Sequence, residues 1–298
     1  MADWSQLDEL PAEIARERTP DAVFAVRGDL AGALREAGYS RDSGAAIAES
    51  DLAGRASMGE IVASGERFVV RRFHHGGLLR WLTGRRYRDP LRPFREWALS
   101  RRLTAAGVRT PEVVAAKARR TLGGLWELEL VSRRVEGAVD LGTLALRARD
   151  GRVGRSSALL AARAFGALVR RLHELGFLHA DLTPRNVLVL VESLERASPE
   201  LWVLDLDGSR FRPRLNAEER AANLARLARH VERMVREGQA DGHARLAAAF
   251  LGAYEPERGA RRALRAEVER MLARARTWHA LGDQVERGAG GRRSVPRP

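Results

Sequence analysis

The chain of 298 residues carries a formal net charge of +13, has no cysteine, and is 45% hydrophobic and 31% charged. So much apolar content in a chain this long supports a sizeable core, which excludes a disordered or low-complexity protein and fits one large domain or two lobes. The absence of cysteine excludes disulfide frameworks, Cys-ligated zinc, iron–sulfur clusters and thiol nucleophiles, while the positive charge favours anionic partners such as nucleic acid, nucleotide phosphates or anionic lipid.

The opening stretch MADWSQLDELPAEIARE lacks the basic start and apolar run of a signal peptide. Residues 1–40 read as acidic, helix-like stretches broken at Thr19-Pro20, so residues 1–45 are expected to form an extension of unknown role. From about Ala45 the pattern turns to β-like runs, and EIVAS and FVVRRF around Gly65-Glu66-Arg67 predict a hairpin. Helical spacing returns over Pro93 to Ala106, and PEVVAAKARR and LWELELV predict two further strands around Gly123-Gly124. Residues 46–134 are thus expected to form a β-rich lobe with one main helix, and 135–284 a mostly helical one. Amphipathic segments predict helices near Ser156–Leu175, Ala217–Arg236, His243–Tyr254 and Ala260–Leu281. Asn216 and Glu219 stand at capping-box spacing before the second of these. The best candidate for a membrane span, ALLAARAFGALVRRL, is interrupted by Arg163 and Arg170 and falls short of roughly 20 apolar residues. Residues 285–298, rich in Gly, Pro and Arg, are expected to be a flexible tail.

The segment FLHADLTPRNVLVL interrupts the helical half with the strongest chemical signal in the chain. It sets His179 two residues before Asp181 and Asn186 five residues after it, with a strand-like run behind. A second apolar run, LWVLDLDGSRF, ends in Asp205-Leu206-Asp207-Gly208. Phosphoryl transfer from a nucleotide requires such a set: one carboxylate to position and deprotonate a hydroxyl, an amide and another carboxylate to hold Mg²⁺ against the phosphates.

HADLTPRN resembles the catalytic loop of the eukaryotic-type protein kinases and their small-molecule relatives, with DLD at the position of DFG. The resemblance implies an α+β, bilobal protein-kinase-like fold, with a small antiparallel β-rich lobe and a larger helical one. It implies Asp181 as catalytic base, Asn186 and Asp205 as Mg²⁺ ligands, and His179 as a structural brace of the loop. Asp207 is either a second metal-side carboxylate or a local turn former. For ATP, GRASMGEIVASGERFVVRRF resembles a phosphate loop joined to a hairpin, holding Gly54 and Gly59. Arg71 falls where such kinases carry a lysine. Lys117 is the only lysine of the chain, so either Arg71 meets the phosphates, with Glu96 as its ion-pair partner, or Lys117 reaches in from another strand. Backbone groups from Ser132 to Arg134 are expected to meet adenine.

RRFHHGGLLRWLTGRRYRDPLRPFREWAL and NLARLARHVERM resemble, more narrowly, the bacterial lipopolysaccharide-core kinases of the Kdo (3-deoxy-D-manno-octulosonic acid) kinase family. The residues that carry the likeness are Arg71, Phe73, Gly76, Gly77, Leu78, Phe94, Arg95 and Glu96, then Asn223, Leu224, Arg226 and Leu227; His75 departs from the family's arginine. The family implies an ATP- and Mg²⁺-dependent phosphotransferase acting on the 4-OH of Kdo on a lipid A precursor. It also implies a cytoplasmic location, peripheral on the inner membrane, and no nucleic-acid partner. Between Arg71 and Arg102 ten arginines alternate with Trp81, Tyr87, Phe94 and Trp97, a composition suited to an anionic membrane surface. Two alternatives remain: a kinase of another small or glycolipid acceptor, such as a heptose or an aminoglycoside- or choline-like substrate, and a non-catalytic pseudokinase or basic nucleic-acid binder.

Overall fold

A computed structural model of the chain describes residues 10–43, 48–49, 58–74, 86–121, 123–239 and 243–290. Two compact units divide it: one holds the described residues up to Val139 with Val187–Glu192 and Leu201–Arg210, the other Asp140–Asn186, Ser193–Glu200 and the described residues from Phe211 onward.

The first unit begins with β1 (Ile14–Arg18), β2 (Ala22–Arg27) and a short helix α1 (Ala31–Glu36), followed by β3 (Ala48–Glu49), β4 (Met58–Ala63) and β5 (Glu66–Arg72). Helix α2 (Arg92–Ala105), β6 (Val113–Arg120), β7 (Trp126–Arg133) and β8 (Ala138–Asp140) complete its first pass. The chain then supplies α3 (Leu141–Arg149), α4 (Arg155–Glu174) and β9 (Phe177–Leu178) to the second unit. It returns to the first with β10 (Val187–Leu190) and β11 (Leu201–Val203), which pair antiparallel. After β12 (Arg210–Phe211) come α5 (Ala217–Arg236), α6 (His243–Tyr254) and α7 (Arg258–Gly290).

Seven strands form one sheet in the order β1-β2-β6-β7-β5-β4-β3. The β4–β5 hairpin and the β6 and β7 strands stand where the apolar runs predicted them. The expectation of helix before residue 40, and with it a separate extension over 1–45, is corrected: β1 and β2 are strands of the sheet, and β2 pairs with β6 from Ala22↔Arg119 to Val26↔Ala115. The physical reason lies in AVFAVR, whose first five residues are apolar and buried on both faces, a run that suits an inner strand and is too short for an amphipathic helix. Thr19 closes the turn before it: its hydroxyl accepts the Ala22 amide at 3.0 Å.

Alternation sends the sheet's side chains to two cores. On one face Val23, Ala25, Ala116, Leu128 and Leu130 pack with Phe94 and Trp97 of α2. On the other, Phe24, Phe68, Val70, Ala115 and Val131 pack with Leu34 of α1 and Tyr39. Period-2 geometry therefore puts Arg71, between Val70 and Arg72, on the face that carries α2.

In the second unit α4 and α6 pack so closely that a Cβ at Gly166 would collide with the Phe250 carbonyl, while the rings of Phe165 and Phe250 meet edge to face at 5.1 Å. Helix α5 starts on the expected capping box: the Asn216 side chain accepts the Glu219 amide at 2.8 Å and Glu219 accepts the Asn216 amide at 3.0 Å. Gly176, at φ +74°, turns the chain out of α4 into β9, and a Cβ there would strike the Arg212 carbonyl. The expected tail over 285–298 is corrected at its start, because α7 runs through Gly290; no proline lies between Arg258 and Val295, and single glycines cost a helix only about 1 kcal/mol each.

Candidate active site

In the first unit, α2 and β5 bring Glu96 and Arg71 together. Arg71 Nη2 donates to Glu96 Oε2 and Nη1 to Asp205 Oδ1, while Glu96 Oε1 accepts the Leu206 amide at 3.1 Å. One guanidinium thus ties the helix to the Asp205-Leu206-Asp207 turn, and Glu96 also fixes that turn through its backbone. Glu96 is buried, and burial pushes its carboxyl up to about 7 against the opposing pull of Arg71. Burial works against the Arg71 charge as well, but Glu96, Asp205 and Asp207 outweigh it and hold its pKa above the ordinary arginine value. Asp205 adopts φ +54°, a left-handed conformation that Asp tolerates better than most residues. Asp207 takes a bidentate ion pair from Arg92, whose Nε reaches Oδ1 at 3.0 Å and whose Nη2 reaches Oδ2. Both Asp207 oxygens are therefore engaged at the start of α2, a role that sequence reasoning did not foresee.

Lys117 lies on the other face of the sheet. Its ammonium pairs with Glu129 at 2.9 Å, donates to the Ser40 and Ser43 carbonyls at 3.3 and 3.1 Å, and stands 4.5 Å from the Tyr39 ring centroid. Of the two cations considered for the lysine position, Arg71 is the one joined to Glu96. Gly59 lies within β4, opposite Glu49 and Val70, while Gly54 falls outside the described residues, as do His75, Gly76, Gly77, Leu78 and Trp81.

Ser132–Arg134, the stretch whose backbone groups are expected to meet adenine, spans the end of β7. The Arg133 amide donates to the Glu112 carbonyl at 2.8 Å and the Arg134 amide to the Arg67 carbonyl at 2.9 Å, so both are spent inside the sheet. Ser132 is paired on both sides, with Val69 and Val113, and the Arg134 guanidinium pairs with Glu60.

In the second unit, β9 leads into the loop that carries His179, Asp181 and Asn186. His179 Nδ1 accepts the Asp181 amide at 3.1 Å. Asn186 Nδ2 donates to the Asp181 carbonyl at 2.8 Å and to Asp181 Oδ2 at 3.0 Å. The five-residue spacing thus closes the loop on itself, with Asp181 held at its amide, its carbonyl and its carboxylate. Because the Asn186 amide nitrogen serves Asp181, its oxygen is the atom left for a cation. Two tethers come from α5: Asn223 Nδ2 donates to the buried His179 carbonyl at 2.8 Å, and Arg226 Nη1 donates to the Ala180 carbonyl. Farther along α5, His230 Nδ1 lies 2.9 Å from Arg233 Nη2. Burial, then Arg233 and Arg185, lower the His230 pKa, while Asp181 pulls the other way.

Residues 42–254 match the model of the lipopolysaccharide kinase (Kdo/WaaP) family. The chain belongs to that family. It is similar to 3-deoxy-D-manno-octulosonic acid kinase of Actinobacillus succinogenes, 31% identical over 169 residues, 55% of this chain and 65% of that protein. The proteins of the same name from Haemophilus influenzae 86-028NP and Vibrio vulnificus CMCP6 are 29% and 28% identical, over 57% and 60% of this chain and 68% and 72% of theirs. The chain therefore spans about two thirds of the length of these curated relatives. Among solved structures it is similar to WaaP in complex with acyl carrier protein, at a TM-score of 0.54 and 21% identity, covering 77% of this chain and 89% of that one. The α+β, protein-kinase-like fold expected from the catalytic loop is that of the family. Among the described residues no helix is long and apolar enough to cross a membrane.

Proposed function

We propose that this member of the Kdo/WaaP family transfers the γ-phosphoryl group of ATP to the 4-OH of Kdo on a lipid A precursor. The observation that carries the reading is the Asp181 loop, in which amide, carbonyl and carboxylate are each tethered by His179 or Asn186. A carboxylate so held can accept the acceptor hydroxyl's proton while it orients the oxygen for in-line attack. Asn186 and Asp205 offer an amide oxygen and a carboxylate, hard donors of the kind Mg²⁺ prefers when phosphates and water complete its shell. These two residues would hold it; when bound, the ion neutralises charge that develops on the transferred phosphoryl group.

Arg71 serves as the phosphate-side cation in place of lysine: its planar fork can bridge a carboxylate and a phosphate together, and Glu96 holds it in position. Asp207 anchors Arg92 rather than metal, because both of its oxygens are already engaged. With the Arg133 and Arg134 amides spent in the sheet, the contacts to adenine near Ser132–Arg134 fall to backbone groups other than these two amides. Arg185, within the loop, and Arg226, bonded to the Ala180 carbonyl, favour an acceptor that carries anionic groups, as Kdo carboxylates and lipid A phosphates do. Tyr87, Phe94 and Trp97 are buried in the core of the first unit and so do not face a membrane, which leaves the exposed arginines Arg86, Arg88, Arg95, Arg101 and Arg102 to support peripheral binding at an anionic membrane surface on the cytoplasmic face.

The test is incubation of the purified protein with Mg-ATP and Kdo-containing lipid A precursor, followed by mass spectrometry of the product. A phosphate on the Kdo 4-OH is expected. A phosphate on a heptose or on another hydroxyl would reassign the acceptor, and no transfer to any glycolipid would overturn the reading.

A further inference from the structure

A buried path of hydrogen bonds crosses three helices of the second unit and ends two residues before Asp181. Tyr254 on α6 sets its hydroxyl 2.7 Å from Nδ1 of His173 on α4. His173 Nε2 lies 3.1 Å from Asn223 Oδ1 on α5, and Asn223 Nδ2 donates to the His179 carbonyl at 2.8 Å. Tyr254, His173, Asn223 and His179 are all buried, none more than 6% exposed.

The direction of every bond in the path follows from its last acceptor. A carbonyl can only accept, so Asn223 must present its NH₂ to His179, which turns its oxygen towards His173. That oxygen needs a donor, so His173 carries its proton on Nε2. Nδ1 is then an acceptor, and Tyr254 must donate to it. Burial agrees with a neutral ring, since it lowers the His173 pKa to about 4, and it raises the Tyr254 phenol to about 12. A flip of the Asn223 amide would set oxygen against oxygen and an N–H against an N–H. One turn along α5, Arg226 holds the Ala180 carbonyl, so one helix face grips both peptide groups that lead into Asp181.

We propose that Asn223 and Arg226 are positioning residues for Asp181, and that His173 and Tyr254 act through Asn223 by locking the orientation of its amide. The proposal rests on the reading of Asp181 as the catalytic base. It assigns a task to His173, a buried titratable group with no direct part in phosphoryl transfer, and to the asparagine of NLARL.

The decisive variant is Asn223→Asp, which keeps shape and volume but replaces the donor to the His179 carbonyl with an acceptor. Turnover of Kdo-lipid A precursor with Mg-ATP is expected to fall about 100-fold, as for a small misplacement of a catalytic group, with the KM for Mg-ATP within about twofold of wild type. Tyr254→Phe removes one hydroxyl at the far end of the path; it is expected to lower kcat about two- to fivefold, with little further loss in the Asn223→Asp background because the two residues act as one unit. Should Asn223→Asp fail to fold, Tyr254→Phe read as kcat against KM decides in its place. Unimpaired kcat in the folded Asn223→Asp protein, or a KM change without a kcat change, overturns the proposal. Asp181→Asn separates the two levels. If it is inactive while Asn223→Asp is normal, the positioning proposal alone falls; if it retains turnover, the assignment of the base falls and the proposal with it.

Discussion

In the first unit Arg71 is shared by Glu96 and Asp205 and Arg92 is clamped on Asp207, with burial opposing the charge of Arg71, Glu96 and Arg92 alike. In the second, the Asp181 loop is gripped largely by neutral partners: the His179 ring, the Asn186 amide, and Asn223 with its buried histidine and tyrosine. The two arrangements answer different demands. A group that receives a polyphosphate gains from ion pairs, because the incoming anion can share a cation already held in place, and such pairs respond to pH and to the removal of either partner. A carboxylate that must meet one hydroxyl gains from uncharged hydrogen bonds, which fix direction and do not titrate in the working range.

The largest expected effect lies in the second unit: Asp181→Asn should lower kcat by about 10²- to 10⁴-fold, the usual contribution of general-base catalysis, with an unchanged circular-dichroism spectrum. In the first unit Arg71→Ala should raise the KM for Mg-ATP by about tenfold or more. It should also cost about 3–5 kcal/mol of stability, the common result of leaving a buried carboxylate without its cation, to be read by denaturant titration. Arg71→Lys should restore only part of the affinity, because a point charge cannot engage Glu96 and Asp205 through a planar fork.

Changes of pH should divide the two units next. With Glu96 raised to about 7, the native state binds more protons than the unfolded one between about pH 4.5 and 7. The stability this group contributes is therefore fully present below about 4.5 and is lost as pH rises through 7. Its ion pair with Arg71 needs the charged form, so kcat/KM for ATP should rise over the same interval while this group's contribution to stability declines. Glu96→Gln should flatten both trends. His173, lowered to about 4, stays neutral in the native state while the unfolded chain takes up a proton there below about 6.5, so it removes stability as pH falls through that interval, opposes the Glu96 trend and adds nothing to kcat/KM. The smallest effect concerns Asp207→Asn, which loosens the Arg92 clamp: less than a tenfold loss of turnover and an unchanged Mg²⁺ requirement are expected, whereas Asp205→Asn should shift that requirement upward. An equal shift in both variants would give Asp207 to the metal.

Much of the site could be read from the chain because its parts are local. His179, Asp181 and Asn186 make their bonds within one loop, and the short spacing that suggested a shared task also lets Asn186 reach Asp181. The pairing of Arg71 with Glu96 was accessible because helical spacing over Pro93 to Ala106, which is α2 among the described residues, follows β5 in the β-rich half. The tether from Asn223 to His179 was not, although Asn223 stood out in NLARL, because the two residues are 44 positions apart and no sequence pattern says which carbonyl a buried asparagine serves. The Arg92–Asp207 clamp spans 115 positions and was hidden for the same reason.

The amino-acid sequence by itself determined the alternation of strands and helices from β4 onward, the limits of α5 with its Asn216 capping box, and the identity of the groups available for phosphoryl transfer. Those features depend on periodicity and on bonds between near neighbours. Tertiary structure alone decided that β1 and β2 join the sheet and that the Arg133 and Arg134 amides are consumed within it. It also decided that Arg92 clamps Asp207 and which helices grip the loop of Asp181. Each of these outcomes is a choice among several chemically equivalent donors and acceptors, and only the packing of distant segments makes one of them the partner within reach.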